Sequence, residues 1–174
     1  MCISLHLSKR YFKCIHRWLE ISYWIKQFVK DKNNLLNFNQ WSCGDYNKNT
    51  NGFNISNSVA TLSDNAINGD YSIHLVRSTS QTGNGYALIY LPLTESDIGK
   101  TVYISADIYS PNNSLDLQVN SNGYATTNIP QNESYQTYTV SKEIVTASTS
   151  VLINLKSSTD ELDVFVDNIK CFIQ

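Results

Sequence analysis

Four acidic side chains cluster near the end of the chain, at Asp160, Glu161, Asp163 and Asp167. Glycosidases hydrolyse sugars with a pair of carboxyl groups, one of which acts as the acid. Such a pair needs a cleft that raises the pKa of the acid. Three of these four residues surround the turn into the predicted last strand, where water solvates them. The pattern therefore favours a solvated charge cluster over a catalytic pair.

Sequence patterns of other catalytic and metal sites are missing. The chain contains no nucleophile elbow, phosphate-binding loop or dinucleotide-binding glycine motif, and Gly83-Asn84-Gly85 has the spacing of a hairpin turn. His6 and His16 are too far apart on a helix to share a zinc ion. His74 lies on the outer face of a predicted strand, where we expect a solvated polar side chain. We therefore expect no enzyme activity.

Composition predicts one globular domain with a basic appendage. The chain has 174 residues, of which 41% are hydrophobic and 16% charged, and a formal net charge of −2. Such balance excludes a basic nucleic-acid module, and no apolar run reaches the ~18 residues that span a bilayer. Residues 1–32 hold seven cations and two acids, which leaves −7 on the rest. This asymmetry predicts a basic segment, residues 1–32, and a folded body, residues 33–174.

The basic segment is predicted to form an amphipathic helix over about residues 5–30. Apolar residues recur there every three or four positions, which puts them on one helix face. They are Tyr11, Cys14, Trp18, Ile21, Ile25 and Phe28. The stripe suits a coiled coil between identical chains, a membrane surface or the chain's own body, and an artefact of the gene start is the remaining alternative. The interspersed cations argue against a secretory signal.

Short alternating runs, separated by clusters of Asn, Gly, Ser and Asp, predict ten strands in the body. No helical run separates them, so the strands must pair antiparallel, and we expect a mainly β sandwich. The predicted strands are residues 35–39, 52–55, 58–62, 71–77, 86–93, 101–109, 115–120, 135–141, 151–156 and 162–173.

Alternation along these strands predicts which side chains face outwards. Apolar residues at every second position leave Tyr103, Asp107 and Tyr109 outside on one strand, and Gln118 and Asn120 outside on another. Tyrosine rings stack on the apolar face of a sugar, while carboxylates and amides pair with its hydroxyls. The outer surface therefore suits a glycan, although exposed tyrosine and threonine also simply suit strands.

The order of the elements resembles the jelly-roll carbohydrate-binding modules of families 4, 9 and 22. The likeness covers about residues 33–173. The motifs that carry it are Asn34-Leu35-Leu36-Asn37-Phe38-Asn39 with Trp41, Asn68-Gly69-Asp70-Tyr71-Ser72-Ile73, residues 99–108, Ser134-Tyr135-Gln136-Thr137-Tyr138, and Phe165-Val166-Asp167-Asn168-Ile169. The resemblance implies an antiparallel jelly-roll β-sandwich, galactose-binding-domain-like, that binds a glycan without catalysis.

The same sandwich also serves as an adhesive or spacer domain in surface proteins and phage fibres. The alternative function is therefore a structural module without a ligand of its own, trimerised or docked through residues 5–30. Both functions fit a location outside the cell, at a cell surface or on a virion. The glycan-binding aromatic residues of the family lie on a concave face or in loops, and the matching residues here are Tyr90, Tyr103, Tyr109 and Tyr124.

The resemblance also implies a structural calcium ion. Asp167 matches the closing acid that ligates calcium in many members, whereas Asn39 stands where the family has a glutamate. An amide is a weaker calcium ligand than a carboxylate, and Asp163 or Asp70 could compensate for it. The alternative for Asp167 is a carboxylate satisfied by backbone N–H groups.

Two of the four cysteines are placed near each other by the resemblance. The first and last strands are neighbours in this fold, so a disulfide between Cys43 and Cys171 is geometrically possible. It would imply an oxidising compartment. Buried thiols are the alternative.

Overall fold

A computed structural model of the chain describes residues 54–67, 71–80, 83–156 and 161–174. These residues form ten strands and a short 3₁₀ helix, Glu95–Asp97. The strands are β1 (Asn54–Ser56), β2 (Val59–Ser63), β3 (Ser72–Arg77), β4 (Gly85–Tyr90), β5 (Thr101–Tyr109), β6 (Leu115–Asn120), β7 (Tyr124–Ile129), β8 (Gln136–Glu143), β9 (Ser150–Leu155) and β10 (Leu162–Ile173). The predicted helix over residues 5–30 and the predicted strand 35–39 lie outside the described residues.

The strands form two five-stranded sheets. Sheet A has the order β1-β4-β9-β6-β7, and sheet B has the order β2-β3-β10-β5-β8. Every pair of neighbours is antiparallel. The predicted antiparallel β-sandwich is therefore confirmed for the described residues. None of them forms a helix long and apolar enough to cross a membrane.

The core lies between the sheets and follows the alternation of the sequence. On β5, Val102, Ile104, Ala106 and Ile108 are at most 1% exposed, while the residues between them face outwards. Strands β6 and β9 contribute their odd-numbered apolar residues in the same way. Burying one such Ile or Leu side chain stabilises the fold by about 1.5–3 kcal/mol.

Strand β7 is absent from the strands predicted by the sequence. It has weak alternation because Ala125 and Ile129 are its only apolar residues besides Tyr124. The turn before it does carry a signal, since Asn122 and Gly123 adopt φ angles of 53° and 114°. Asn-Gly is a strong hairpin signal. Strand β4 is shorter than predicted and ends at Tyr90, after which the N–H of Leu91 donates to the Thr149 carbonyl.

Candidate functional site

The seven predicted ligand residues divide between the two outer faces of the sandwich. Tyr103, Asp107 and Tyr109 lie on β5 and face outwards from sheet B. The other four lie on the outer face of sheet A, namely Tyr90, Gln118, Asn120 and Tyr124. The two outer faces point away from each other, so the seven residues do not form one site on a single sheet face.

Two exposed tyrosines stand at opposite ends of one row across sheet A. Tyr90 pairs with Ser150, Ser150 pairs with Asn120, and Asn120 pairs with Tyr124. Tyr90 is 61% exposed and Tyr124 is 59% exposed. Three steps between neighbouring strands separate their Cα atoms by about 14 Å. Ser150, between them, is 3% exposed, so the exposed part of this row consists of the two tyrosines and the partly exposed Asn120.

We call the outer face of β4, β9, β6 and β7 the sheet A platform. Its members lie in register, so that side chains from the four strands form three rows. They are Tyr86, Leu88, Tyr90, Asp116, Gln118, Asn120, Tyr124, Thr126, Asn128, Ser150, Leu152 and Asn154. The platform thus combines three tyrosines, four amides, Leu88 and Thr126 with Asp116, Ser150 and Leu152, which are at most 8% exposed. The sequence also signals Tyr86 and Leu88, which alternate with buried residues just as Tyr90 does.

Hydrogen bonds hold several polar groups of the sheet A platform in place. Gln118 donates from Nε2 to the hydroxyl of Thr126 over 3.2 Å. Asn120 accepts the N–H of Gly123 at its Oδ1 over 3.2 Å, which fixes the turn into β7. Fixed polar groups bind a ligand at a smaller entropic cost than mobile ones.

A carboxylate at the margin of the platform is neutralised by its neighbours. Asp116 lies 3.0 Å from the ammonium group of Lys156 and accepts a hydrogen bond from Asn128 over 3.1 Å. Asp116 is largely buried. Its role is to hold β6 to β9 and β7, and its partners leave no excess charge at this point.

Aromatic rings on the outer face of sheet B stack on one another. His74 and Phe165 lie 4.4 Å apart with an angle of 5° between their planes, and Phe165 and Tyr109 lie 5.5 Å apart at 18°. Tyr109 also contacts Tyr135, whose hydroxyl donates to the carbonyl of Asn65. Rings stacked in this way contact other rings with their faces. Tyr109, a predicted ligand residue, is therefore part of the packing of this face.

Asp107, another predicted ligand residue, is 7% exposed. Its Oδ1 accepts the hydroxyl hydrogen of Thr137 over 2.5 Å, and its Oδ2 accepts the side-chain N–H of Asn168 over 2.8 Å. The Asp107 side chain therefore links β5 to β8 and to β10 within sheet B. Burying this carboxylate is tolerated because each oxygen has a partner.

The predicted calcium ligand Asp167 is fully buried. Its Oδ2 accepts the N–H of Ile67 over 2.9 Å, and its Oδ1 accepts the N–H of Asn168 over 2.6 Å. The alternative stated above, a carboxylate satisfied by backbone N–H groups, describes this geometry. Asn168 has a φ of 50° at an irregularity in β10 that turns its N–H towards the carboxylate.

Asp163, the other acid proposed for calcium, has different partners. It lies 2.7 Å from His74 Nε2, and its second oxygen accepts a hydrogen bond from Asn112. Four residues of strand, about 13 Å, separate it from Asp167. The sequence predicts a solvated side chain for His74, whereas the structure pairs it with Asp163.

Asp167 supplies two of the oxygen atoms that the predicted calcium ion needs. Calcium binds six to eight oxygen atoms at 2.3–2.6 Å. No group of three or more His, Cys, Asp or Glu suited to a metal occurs in the described part of the chain. Asn39 and Asp70 lie outside that part. A calcium ion held by Asp167 therefore stays a prediction.

Tyr103 lines an open groove of about 500 Å³ beside the outer face of sheet B. It is 42% exposed and pairs with Phe172 on β10 and with Ser141 on β8. We call this space the Tyr103 groove. Its walls are Tyr103, Ile104, Ser105, Ala125, Thr126, Thr127, Thr139, Val140, Ser141 and Phe172. Tyr103 is therefore the predicted residue of sheet B that has space for a ligand beside it.

Cys171 lies on the inner face of β10 and is fully buried. Burial raises the pKa of its thiol to about 12. Its predicted partner, Cys43, lies outside the described residues, so the disulfide stays a prediction.

The sandwich is similar to solved carbohydrate-binding modules. A family 61 module in complex with β-1,4-galactotriose has a TM-score of 0.61 at 11% identity, over 81% of this chain and 99% of that chain. The family 22 xylan-binding domain of Paenibacillus barcinonensis Xyn10C has a TM-score of 0.57 at 12% identity, over 74% of this chain and 90% of that chain. The resemblance predicted from the sequence is thus confirmed at the level of the fold.

The sandwich is also similar to part of a larger protein, a bacteriophage tailspike. The enzymatically active domain of tailspike protein 4 from bacteriophage CBA120 has a TM-score of 0.64 at 12% identity, over 82% of this chain. The chain spans only 22% of the length of that tailspike chain. The sequence matches no protein-family model and no curated protein. The similarities therefore show a β-sandwich fold that is shared by carbohydrate-binding modules and a tailspike.

Proposed function

We propose that this protein is a non-catalytic glycan-binding module whose ligand lies on the sheet A platform. The observation that carries the proposal is the row with Tyr90 and Tyr124 at its ends and Asn120 between them. Exposed rings at both ends can stack on the apolar faces of sugars, and the amides between them can pair with sugar hydroxyls.

Sheet A suits a glycan better than most of sheet B. On sheet B, Phe165 and Tyr109 stack on each other, and Asp107 has its two oxygens bonded to the protein itself. Phe165 and Tyr109 cover each other's faces, and Asp107 is only 7% exposed, so these groups offer little surface to a sugar. Tyr90 and Tyr124 are the more exposed tyrosines and can cover apolar surface of a ligand without breaking such contacts.

The sheet A platform lacks the pair of carboxyl groups that hydrolysis of a glycan needs among its described residues. Hydrolysis of a glycosidic bond needs two carboxyl groups that flank the bond. Among the described residues of the platform, Asp116 is the one carboxylate, and it is paired with Lys156. Binding without turnover is also the activity implied by the resemblance to carbohydrate-binding modules.

A structural module of a surface appendage or phage fibre is the second candidate. The similarity to the tailspike domain favours it, since a sandwich of this kind forms part of that chain. In this case residues 5–30 would join identical chains or contact a membrane surface. Both candidates place the protein outside the cell, at its surface or on a virion.

Titration calorimetry with the full chain tests the glycan-binding function. The probes are xylohexaose, β-1,4-galactotriose and the β-1,3-1,4-linked tetrasaccharide, which occur in complexes of similar sandwiches. We expect at least one probe to bind. The double variant Tyr90→Ala, Tyr124→Ala should lower the affinity for that probe at least tenfold. Val59→Ala, a change at a 62% exposed residue of sheet B, is the matched control. Equal affinity in the wild type and the double variant would remove the platform as the binding site.

A further inference from the structure

The Tyr103 groove has the composition of a site for an uncharged ligand. None of its described lining residues carries a charge. Tyr103 and Phe172 are cross-strand partners and supply two neighbouring aromatic rings. Around them lie the hydroxyl groups of Ser105, Thr139, Ser141, Thr126 and Thr127.

Hydroxyl groups and aromatic rings together select a particular kind of ligand. A hydroxyl both donates and accepts a hydrogen bond, so it pairs with sugar hydroxyls in either direction. The rings of Tyr103 and Phe172 can cover the apolar face of a pyranose. An ionic ligand would lose its hydration here without gaining a charged partner among the lining residues, which is unfavourable. Lys170, the partner of Ser105 on β10, is not one of them. The groove therefore favours a neutral saccharide over an anionic one.

The groove is continuous with the sheet A platform across strand β7. Thr126 belongs to both surfaces, because it lines the groove and also pairs with Gln118 on the outer face of sheet A. Tyr124 lies two residues from Thr126, about 7 Å along the strand. Thr127 donates to the carbonyl of Thr139 over 2.6 Å and so joins β7 to β8 beside the groove. One glycan chain can follow this surface from sheet A to Tyr103.

We propose that the Tyr103 groove is a second binding site, for a neutral saccharide unit, and that it continues the sheet A platform around β7. The proposal relies on the glycan-binding function for the class of ligand. A glycan long enough to reach both surfaces gains affinity because its second contact is intramolecular. Short glycans occupy either surface alone.

An amide NMR titration of the full chain, with the same three oligosaccharides, tests the second site. We expect shifts at Ser105, Thr139 and Ser141 in addition to shifts at Asn120 and Tyr124. Tyr103→Ala should abolish the groove shifts. It should also lower the affinity for xylohexaose, the longest probe, five- to tenfold. Tyr103→Phe keeps the ring and should bind within about threefold of the wild type. Melting temperatures establish that both variants are folded.

The titration tests the platform and the groove separately. Shifts confined to the platform, with unchanged xylohexaose affinity in Tyr103→Ala, would overturn the second site and leave the platform standing. Shifts confined to the groove would support the second site and overturn the platform. Absence of shifts with every probe would overturn both. Val59→Ala again serves as the matched control and should titrate like the wild type.

Discussion

The carboxylate of Asp167 ties the last strand to the backbone of Ile67, a residue 100 positions earlier in the chain. The Ile67 N–H donates to Asp167 Oδ2 over 2.9 Å, while the second oxygen holds the N–H of Asn168. The same segment is held by Tyr135, whose hydroxyl donates to the carbonyl of Asn65. The loop after β2 is therefore fixed over the outer face of sheet B at two points.

Removing this carboxylate should destabilise the fold. In Asp167→Ala the N–H groups of Ile67 and Asn168 lose a fully buried acceptor, but Ile67 is itself 57% exposed, so water replaces part of its lost bond. An unsatisfied buried donor costs about 1–3 kcal/mol. We therefore expect the free energy of unfolding, measured with urea, to fall by about 1–3 kcal/mol. The matched control is the exposed Asp64→Ala, which should change it by less than about 0.5 kcal/mol. Equal effects of the two substitutions would contradict a structural role for Asp167.

The calcium prediction can be tested on the same residue. Because two backbone N–H groups bond to the carboxylate of Asp167, we expect the full chain to remain folded in excess EGTA. A bound ion stabilises the native state by mass action, so a calcium site would raise the melting temperature when calcium replaces EGTA. Asp167→Asn should abolish that rise if this carboxylate ligates the ion. A rise that persists in Asp167→Asn would place the calcium elsewhere.

Asp97 should make the stability depend on pH in the acid range. Hydrogen bonds from Lys100, and then from the backbone and side chain of Thr94, lower the pKa of this carboxyl to about 2. A pKa below the unfolded value of about 3.9 means that the ionised group stabilises the folded state above that pH. The contribution should disappear as the pH falls from about 4 to 2.

The test compares the wild type with Asp97→Asn in urea unfolding between pH 7 and pH 2. We expect the wild type to be the more stable at pH 7 and the difference to shrink between about pH 4 and 2. A carboxyl titration by NMR reports the pKa directly. A midpoint near 4 would contradict the hydrogen bonds from Lys100 and Thr94 to Asp97. A stability difference that does not depend on pH would attribute the effect of Asp97→Asn to a lost hydrogen bond with the Thr94 backbone and not to the lost charge.

Cys171 should react slowly with alkylating reagents in the folded protein. The thiolate is the reactive form, and burial both raises the pKa of this thiol to about 12 and blocks the reagent. We expect iodoacetamide at pH 8 to modify Cys171 at least tenfold more slowly in buffer than in urea under reducing conditions. Mass spectrometry of a non-reduced digest shows whether Cys171 is linked to Cys43. Rapid modification of the folded chain would contradict the burial of Cys171 on β10.

The sequence by itself determined the strands and the side of each strand that faces the core. In β5, apolar and polar residues alternate with the period of a strand, so Ile104 had to face inwards and Tyr103 outwards. Tyr90 and Tyr124 were named instead by the resemblance, which puts the ligand-binding aromatic residues on a concave face or in loops. Alternation missed β7, because Thr126, Thr127 and Asn128 are polar on both faces of that strand.

Only the tertiary structure decided which outer face each residue occupies. Alternation records whether a side chain points inwards or outwards, but the pairing of strands distant in sequence assigns each strand to a sheet. Strand β4 pairs with β9 in sheet A and β5 pairs with β10 in sheet B, so Tyr90 and Tyr103 lie on opposite sides of the sandwich. The partners of Asp107 and Asp167 were hidden for the same reason, because Thr137 and Ile67 approach them only when the sheets assemble.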